Sequence, residues 1–217
     1  VGTAWDLMAT EDNKINIFDR LMRRTHGVLL GHNRFATKGR ITAANAHPFE
    51  HSGVIGAHNG TLTAQWALKD YKMFDVDSDN IIYNIAEEGA EETLKKLQGA
   101  FALTWYDSET HTVRLVRNEE RPLCFCLSKD NKTLFWASES WMLHIALQKA
   151  GLEFQEITML APKKLMNIEV PMVSGDKMEE LHIDVLDVEF YKPKDLIYHS
   201  YDKLRRVWSN ERQCFED

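Results

Sequence analysis

Apolar residues recur along this chain in two rhythms, and each predicts a different element. Gly99–Tyr106 (GAFALTWY) alternates as a half-buried strand does, followed by a turn at Asp107-Ser108. Thr112–Arg117, Leu123–Ser128 and Thr133–Ala137 read as further strands. The helical spacing governs Ile15–Arg24, where Ile15, Ile17, Phe18, Leu21 and Met22 form one stripe and basic residues close the last turn. Further helices are expected at Thr63–Lys69, Asp77–Glu88 (with Asp77 or Ser78 as cap), Ala90–Leu97 and Ser138–Ala150, the last burying Trp141, Ile145 and Leu147. Val1–Ala9 reads as a strand, and Leu152 onward as short strands and turns before a charged amphipathic tail, Asp202–Asp217. Two short apolar runs, Val28–Leu30 and Gly53–Ala57, are expected as buried strands that each end in polar residues.

Composition narrows the class without changing this picture. A chain of 217 residues, 44% hydrophobic and 27% charged, can bury one substantial core. The net charge of −7, with no basic stripe interleaved with aromatics, argues against direct nucleic-acid binding. No apolar run approaches the roughly 20 residues that span a bilayer, and no signal-peptide pattern opens the chain, so a cytoplasmic location is expected. Cys124, Cys126 and Cys214 cannot form a disulfide framework. Alternation places Cys124 and Cys126 on one strand face as buried reduced thiols, a reading favoured over a redox pair because one residue, not two, separates the sulfurs.

The chemistry concentrates between Leu29 and Leu62. His32, Asn33, Arg34 and Thr37 follow the first apolar run, and His58, Asn59 and Gly60 the second. A guanidinium, a hydroxyl, a side-chain amide and a glycine N–H gathered at strand ends suit a small zwitterion that carries an amide. Plainer readings stand beside this one. Asn59-Gly60 alone is a hairpin-turn signal, Arg34 alone a surface ion pair, His47 a satisfied loop histidine, and Asp77 a helix cap. A metal is not expected from His32, His47, His51 and His58, because Pro48 interrupts the His47–His51 spacing and no carboxylate or thiol completes a familiar ligand set.

The blocks GHNRFATKG, NAHPF and HNGTL resemble, in order and spacing, the signatures of class II glutamine amidotransferase domains, which are N-terminal-nucleophile hydrolases. LQGAFALTWYD, RPLCFCL and LFWASE resemble the hairpins of that family's second sheet. The resemblance implies an α+β fold, a four-layer αββα sandwich with two mainly antiparallel sheets, over residues 1–185, with 186–217 as a C-terminal extension outside it. It implies that Arg34 holds the α-carboxylate of glutamine, that Asn59 and Gly60 form the oxyanion hole, and that Asp77 of the Asp77-Ser78-Asp79 block holds the α-ammonium. Thr37 and His47 match further glutamine-site positions. Phe35 and Lys38 depart from some members, which bears on closure over the substrate.

The family's nucleophile is an amino-terminal Cys whose own α-amine is the base, at about pKa 7.7–8.0. Cys124, Cys126 and Cys214 are internal, and Val1–Ala9 resembles the family's second strand region. The chain is therefore expected to be a fragment of a longer product, inactive as it stands from Val1. The implied function is hydrolysis of the glutamine side-chain amide to glutamate and ammonia, with no cofactor and no metal, the ammonia passing to a synthase domain or subunit. The alternatives are a non-catalytic binding or assembly module that keeps the pocket, and a hydrolase acting on another amide.

Overall fold

Alternation along strands and helical stripes sorts the apolar side chains into three separate cores. In the computed structural model, residues 27–33, 39–171 and 179–192 are described. Nine strands form: β1 (Phe49–His51), β2 (Val54–Leu62), β3 (Gly99–Asp107), β4 (Thr112–Arg117), β5 (Cys124–Leu127), β6 (Leu134–Ala137), β7 (Thr158–Met159), β8 (Lys164–Glu169) and β9 (Ile183–Asp187). Helices α1 (Asp77–Glu88), α2 (Ala90–Leu94) and α3 (Ser140–Lys149) accompany them. One sheet runs β1-β2-β3-β4-β8-β9 and the other β6-β5-β7, with every pairing antiparallel.

Phe101, Leu103 and Trp105 of β3 face α1 and α2, joining Ile81, Ile82, Ile85 and Leu94 in the first core. Ala102 of β3, with Val113, Leu115, Met166 and Ile168, meets Leu134, Phe125 and Trp136 of the small sheet in the second. The other face of that small sheet carries Cys124, Cys126 and Phe135 against Leu143 and Leu147 of α3. The layers are thus helix, sheet, sheet, helix. Arg117, buried at the end of β4, ties the two sheets together. Its Nε donates to the carbonyl of Leu160, beyond β7, and one terminal nitrogen donates to the carbonyls of Asn118 at 2.9 Å and Arg121 at 3.1 Å.

Several expectations are corrected. Val28–Leu30 is not a strand: Gly27–Asn33 carries none, Leu29 is 64% exposed, and only Val28 leans on the inter-sheet core. The second run extends further than expected. All nine residues of β2 pair with β3, so His58, Asn59 and Gly60 lie inside the strand instead of beyond its end, and the hairpin-turn reading of Asn59-Gly60 is set aside. Thr63–Lys69 holds one short 3-10 turn, Gln65–Ala67, in place of a helix. The reason is external: Asn84 Oδ1 accepts the Lys69 amide at 2.9 Å, and Asn80 Nδ2 donates to the Lys69 carbonyl at 2.9 Å, so α1 satisfies the loop's backbone. On α3 the buried stripe is Leu143 and Leu147, whereas Trp141 and Ile145 are 58% and 45% exposed. The narrow three-stranded sheet covers only an i,i+4 pair, and Trp141 and Ile145 sit about 200° around the helix from it. α2 stops at Leu94, short of the expected Leu97.

The expected boundary at 185/186 falls inside β9, beyond which Phe190 meets Phe101 edge to face at 4.9 Å. The elements expected at Val1–Ala9, Ile15–Arg24 and Asp202–Asp217 lie outside the described residues.

Candidate active site

The backbone ladder sets the geometry of β2. Thr63 donates its amide to Gln98 O at 2.8 Å and Ser108 donates to Gly53 O at 3.0 Å. An antiparallel ladder alternates, so the odd-numbered residues of β2 exchange bonds with β3. The amides of His58, Gly60 and Leu62 therefore turn to the opposite edge, where β1 pairs only with Val54, Ile55 and Gly56. Among the described residues no strand covers that edge beyond Gly56.

The start of α1 fills it instead. Asp77, only 4% exposed, accepts the Leu62 N–H on Oδ2 at 2.7 Å and the Ser78 N–H on Oδ1 at 3.0 Å. Val76, not Asp77, holds the cap position of α1. The Asp77 carboxylate thus reaches across to β2 while benefiting from the helix N-terminus.

Ser78, the next residue, brings its Oγ to 3.0 Å from Nδ1 of His58. On the other side of that ring, Nε2 makes a long 3.4 Å contact with Ala100 O. A carbonyl can only accept, so Nε2 carries the proton and Nδ1 accepts from the serine hydroxyl. Burial pushes the imidazole down to about 4, against the opposing pull of Asp77 and with help from the nearby charges of His32 and Arg121. His58 is a neutral ring near pH 7.

Gly60 sits between these anchors at φ +154. A Cβ there would lie 1.9 Å from Ala100 O and 2.7 Å from His58 Nε2, so only glycine fits. The close approach is to β3. Asn59 pairs with Ala102, whose side chain belongs to the inter-sheet core, while His58 pairs with Leu103 on the helix side. Directly opposed residues share a face, so Asn59 projects towards the second sheet.

The other sequence candidates divide. Arg34 and Thr37 lie outside the described residues. His47 packs against His32 with ring centroids 4.0 Å apart and planes tilted by 41°, and meets the edge of Phe49 at 4.9 Å. His51 is engaged by Asp79 at 2.7 Å, beside Phe74 and Tyr83. Among the described residues no group of three or more His, Cys, Asp or Glu could hold a metal. Cys124 and Cys126 are free thiols in the third core, and burial raises both pKa values. An apolar cavity of about 470 Å³, bounded by Val113, Trp136, Leu147 and Ile168, shares no residue with the polar cluster. No helix among the described residues is long and apolar enough to cross a membrane. Sequence reasoning missed the Ser78–His58 contact. The signal available was a histidine at an inward position of an apolar strand, which needs a partner when buried.

Three comparisons bear on this geometry. Residues 19–177 match a family described as a glutamine amidotransferase domain. The chain is 25% identical over 183 residues to glutamine–fructose-6-phosphate aminotransferase (isomerizing) of Bacillus licheniformis, covering 74% of this chain and 30% of that protein. It is 33% identical over 90 residues to the enzyme of the same name from Mesorhizobium japonicum, covering 34% of this chain and 15% of that one. A solved structure of glutamine phosphoribosylpyrophosphate amidotransferase from B. subtilis, complexed with ADP and GMP, aligns with a TM-score of 0.51 at 21% identity, over 70% of this chain and 33% of that one. That likeness agrees with the αββα layering. The chain spans under a third of the length of the first of these relatives. The family match covers well over half of its residues, and the chain belongs to the glutamine amidotransferase domain family.

Proposed function

We propose that this domain binds L-glutamine where the edge of β2 meets the start of α1 and supports hydrolysis of its side-chain amide to glutamate and ammonia. One observation carries the reading: a buried carboxylate, Asp77, and the outward-turned amide of Gly60 meet on one strand edge, within a domain of this family. Asp77 takes the α-ammonium, its carboxylate matching the positive charge. Arg34 takes the α-carboxylate through two parallel N–H donors, with Thr37 and His47 lining the same site. The substrate's amide oxygen sits at the corner between that edge and the inter-sheet face, where Gly60 N–H and the Asn59 side-chain N–H stabilise it as an oxyanion.

The nucleophile is an amino-terminal cysteine, as in the family resembled. Its thiolate adds to the amide carbon, and its α-amine carries the proton to the departing nitrogen, which leaves as ammonia. Water then opens the thioester to glutamate. The buried thiols of the third core take no part. The ammonia passes to a synthase part of the same or another chain, a reading supported by the greater length of the aminotransferases that the chain resembles. A cytoplasmic location belongs to the same proposal.

The test is ammonia and glutamate release from glutamine by the full-length protein, alongside calorimetric titration with glutamine. Stoichiometric release supports the reading. Binding without release supports a non-catalytic module, and neither binding nor release overturns both.

A further inference from the structure

We infer that His58 is a positioning residue: together with Asp77 it clamps β2 on either side of Gly60 and so fixes the direction of the Gly60 amide. The inference rests on the reading of that amide as an oxyanion donor. Its ground is the spacing. Two adjacent residues at the start of α1 each take hold of β2, Ser78 through the His58 ring at 3.0 Å and Asp77 through the Leu62 amide at 2.7 Å. Those two grips fall two residues before and two residues after Gly60.

A glycine is the residue whose backbone is least restrained by its own side chain. Gly60 is nonetheless forced here, because Ala100 O occupies the space of a Cβ. Rigidity at this point must therefore come from outside the residue. The His58 ring supplies it by filling the gap between Ser78 Oγ and Ala100 O, beside the same carbonyl that excludes a side chain at Gly60. His58 is 2% exposed and both its ring nitrogens face protein, Ser78 Oγ on one side and Ala100 O on the other, so the ring acts through β2. The first turn of α1 then serves two steps at once, since the residue that receives the ammonium is chain neighbour to the residue that steadies the oxyanion donor.

The experiment measures steady-state ammonia release by the full-length protein and its Ser78→Ala and Ser78→Thr variants. Ser78→Ala removes the donor to Nδ1 and frees the ring. The expected result is a fall in kcat of about tenfold to a hundredfold, the scale at which a misplacement near 1 Å acts, with KM for glutamine within about threefold. Ser78→Thr, which keeps a hydroxyl, is expected to stay within about threefold of the parent in both. A Ser78→Ala protein with parental kcat overturns the inference, as does one whose loss is matched by the fraction unfolded in a thermal melt. Should Ser78→Ala fail to fold, His58→Gln keeps an N–H near Nε2 and loses the Nδ1 acceptor, and it carries the same expectation and the same refutation. A parent that releases no ammonia overturns the glutaminase reading and the role of His58 with it, whereas an active parent with an unaffected variant overturns the clamp alone.

Discussion

Asp77→Asn separates anchoring from substrate recognition in one side chain. The carboxylate accepts two backbone amides, from Leu62 at 2.7 Å and Ser78 at 3.0 Å, at a residue that is 4% exposed. Asparagine has the same shape but one acceptor oxygen, so either rotamer sets its NH2 group against one of those N–H donors. One charge-assisted hydrogen bond is lost, about 1.5–3 kcal/mol. The loss of negative charge at the helix start adds about 0.3–1 kcal/mol. The expected destabilisation is therefore about 2–4 kcal/mol, read as a lower denaturation midpoint at unchanged slope, or as a fall in Tm of about 5–15 °C for a chain of this size. Binding is measured separately, by titration with glutamine and with 4-carbamoylbutanoate, which lacks the α-ammonium. The parent is expected to prefer glutamine strongly and the variant to lose most of that preference. A variant within about 0.5 kcal/mol of the parent would refute the anchoring argument, and undiminished preference for glutamine would remove Asp77 from ammonium recognition.

Three further outcomes are expected. The unfolded His58 ring takes a proton near 6.5 and the folded ring not until about 4, so the unfolded state binds more protons between those values. Stability should be full above pH 6.5 and fall as pH drops towards 4, by roughly 3 kcal/mol, and a His58→Gln protein whose denaturation midpoints fall just as steeply over that window would refute this. Gly60→Ala must open the β2–β3 spacing by about 1 Å at Ala100 O to reach the closest tolerated contact, so it should unfold at markedly lower denaturant or fail to accumulate; a parental midpoint would show that the two strands do not approach so closely. Leu147→Ala should cost about 2–5 kcal/mol and Trp141→Ser less than about 0.5 kcal/mol, with circular dichroism melts deciding whether the buried face of α3 is the one described.

How much of this was legible in the sequence depends on whether a local rule or a distant contact decided each element. The helix Asp77–Glu88 was readable to the residue, because Asp-Ser-Asp opens it and Ile81, Ile82 and Ile85 form its apolar stripe. Thr112–Arg117 was also read with the bounds the strand has. The shared face of Cys124 and Cys126 followed from the period of two. By contrast, Asn59-Gly60 carries the strongest local turn signal in the chain, yet nine consecutive pairings with β3 carry the strand through it. The phase of α3 was misjudged because two apolar stripes were available, and only the width of the facing sheet selects Leu143 and Leu147. The loop after β2 lost its expected helix to the side chains of Asn80 and Asn84, residues whose reach no window of local sequence reveals. In the site itself, motif spacing singled out Asp77 and Gly60, but not that a serine and a histidine join the two elements that carry them.

The Arg117 tie between the sheets has a consequence for how this chain can drift over generations. All three groups that receive its guanidinium are main-chain carbonyls, those of Leu160, Asn118 and Arg121. Any amino acid supplies a carbonyl, so the identities at 118, 121 and 160 are open to substitution as far as this linkage is concerned. Position 117 is not, since a lysine has no planar fork to span separate acceptors. This linkage therefore depends on one side chain, and what holds Asn118 and Leu160 in place comes from elsewhere: the Asn118 side-chain amide accepts from Phe101 N–H and donates to Gly99 O, and Leu160 is buried in the inter-sheet core.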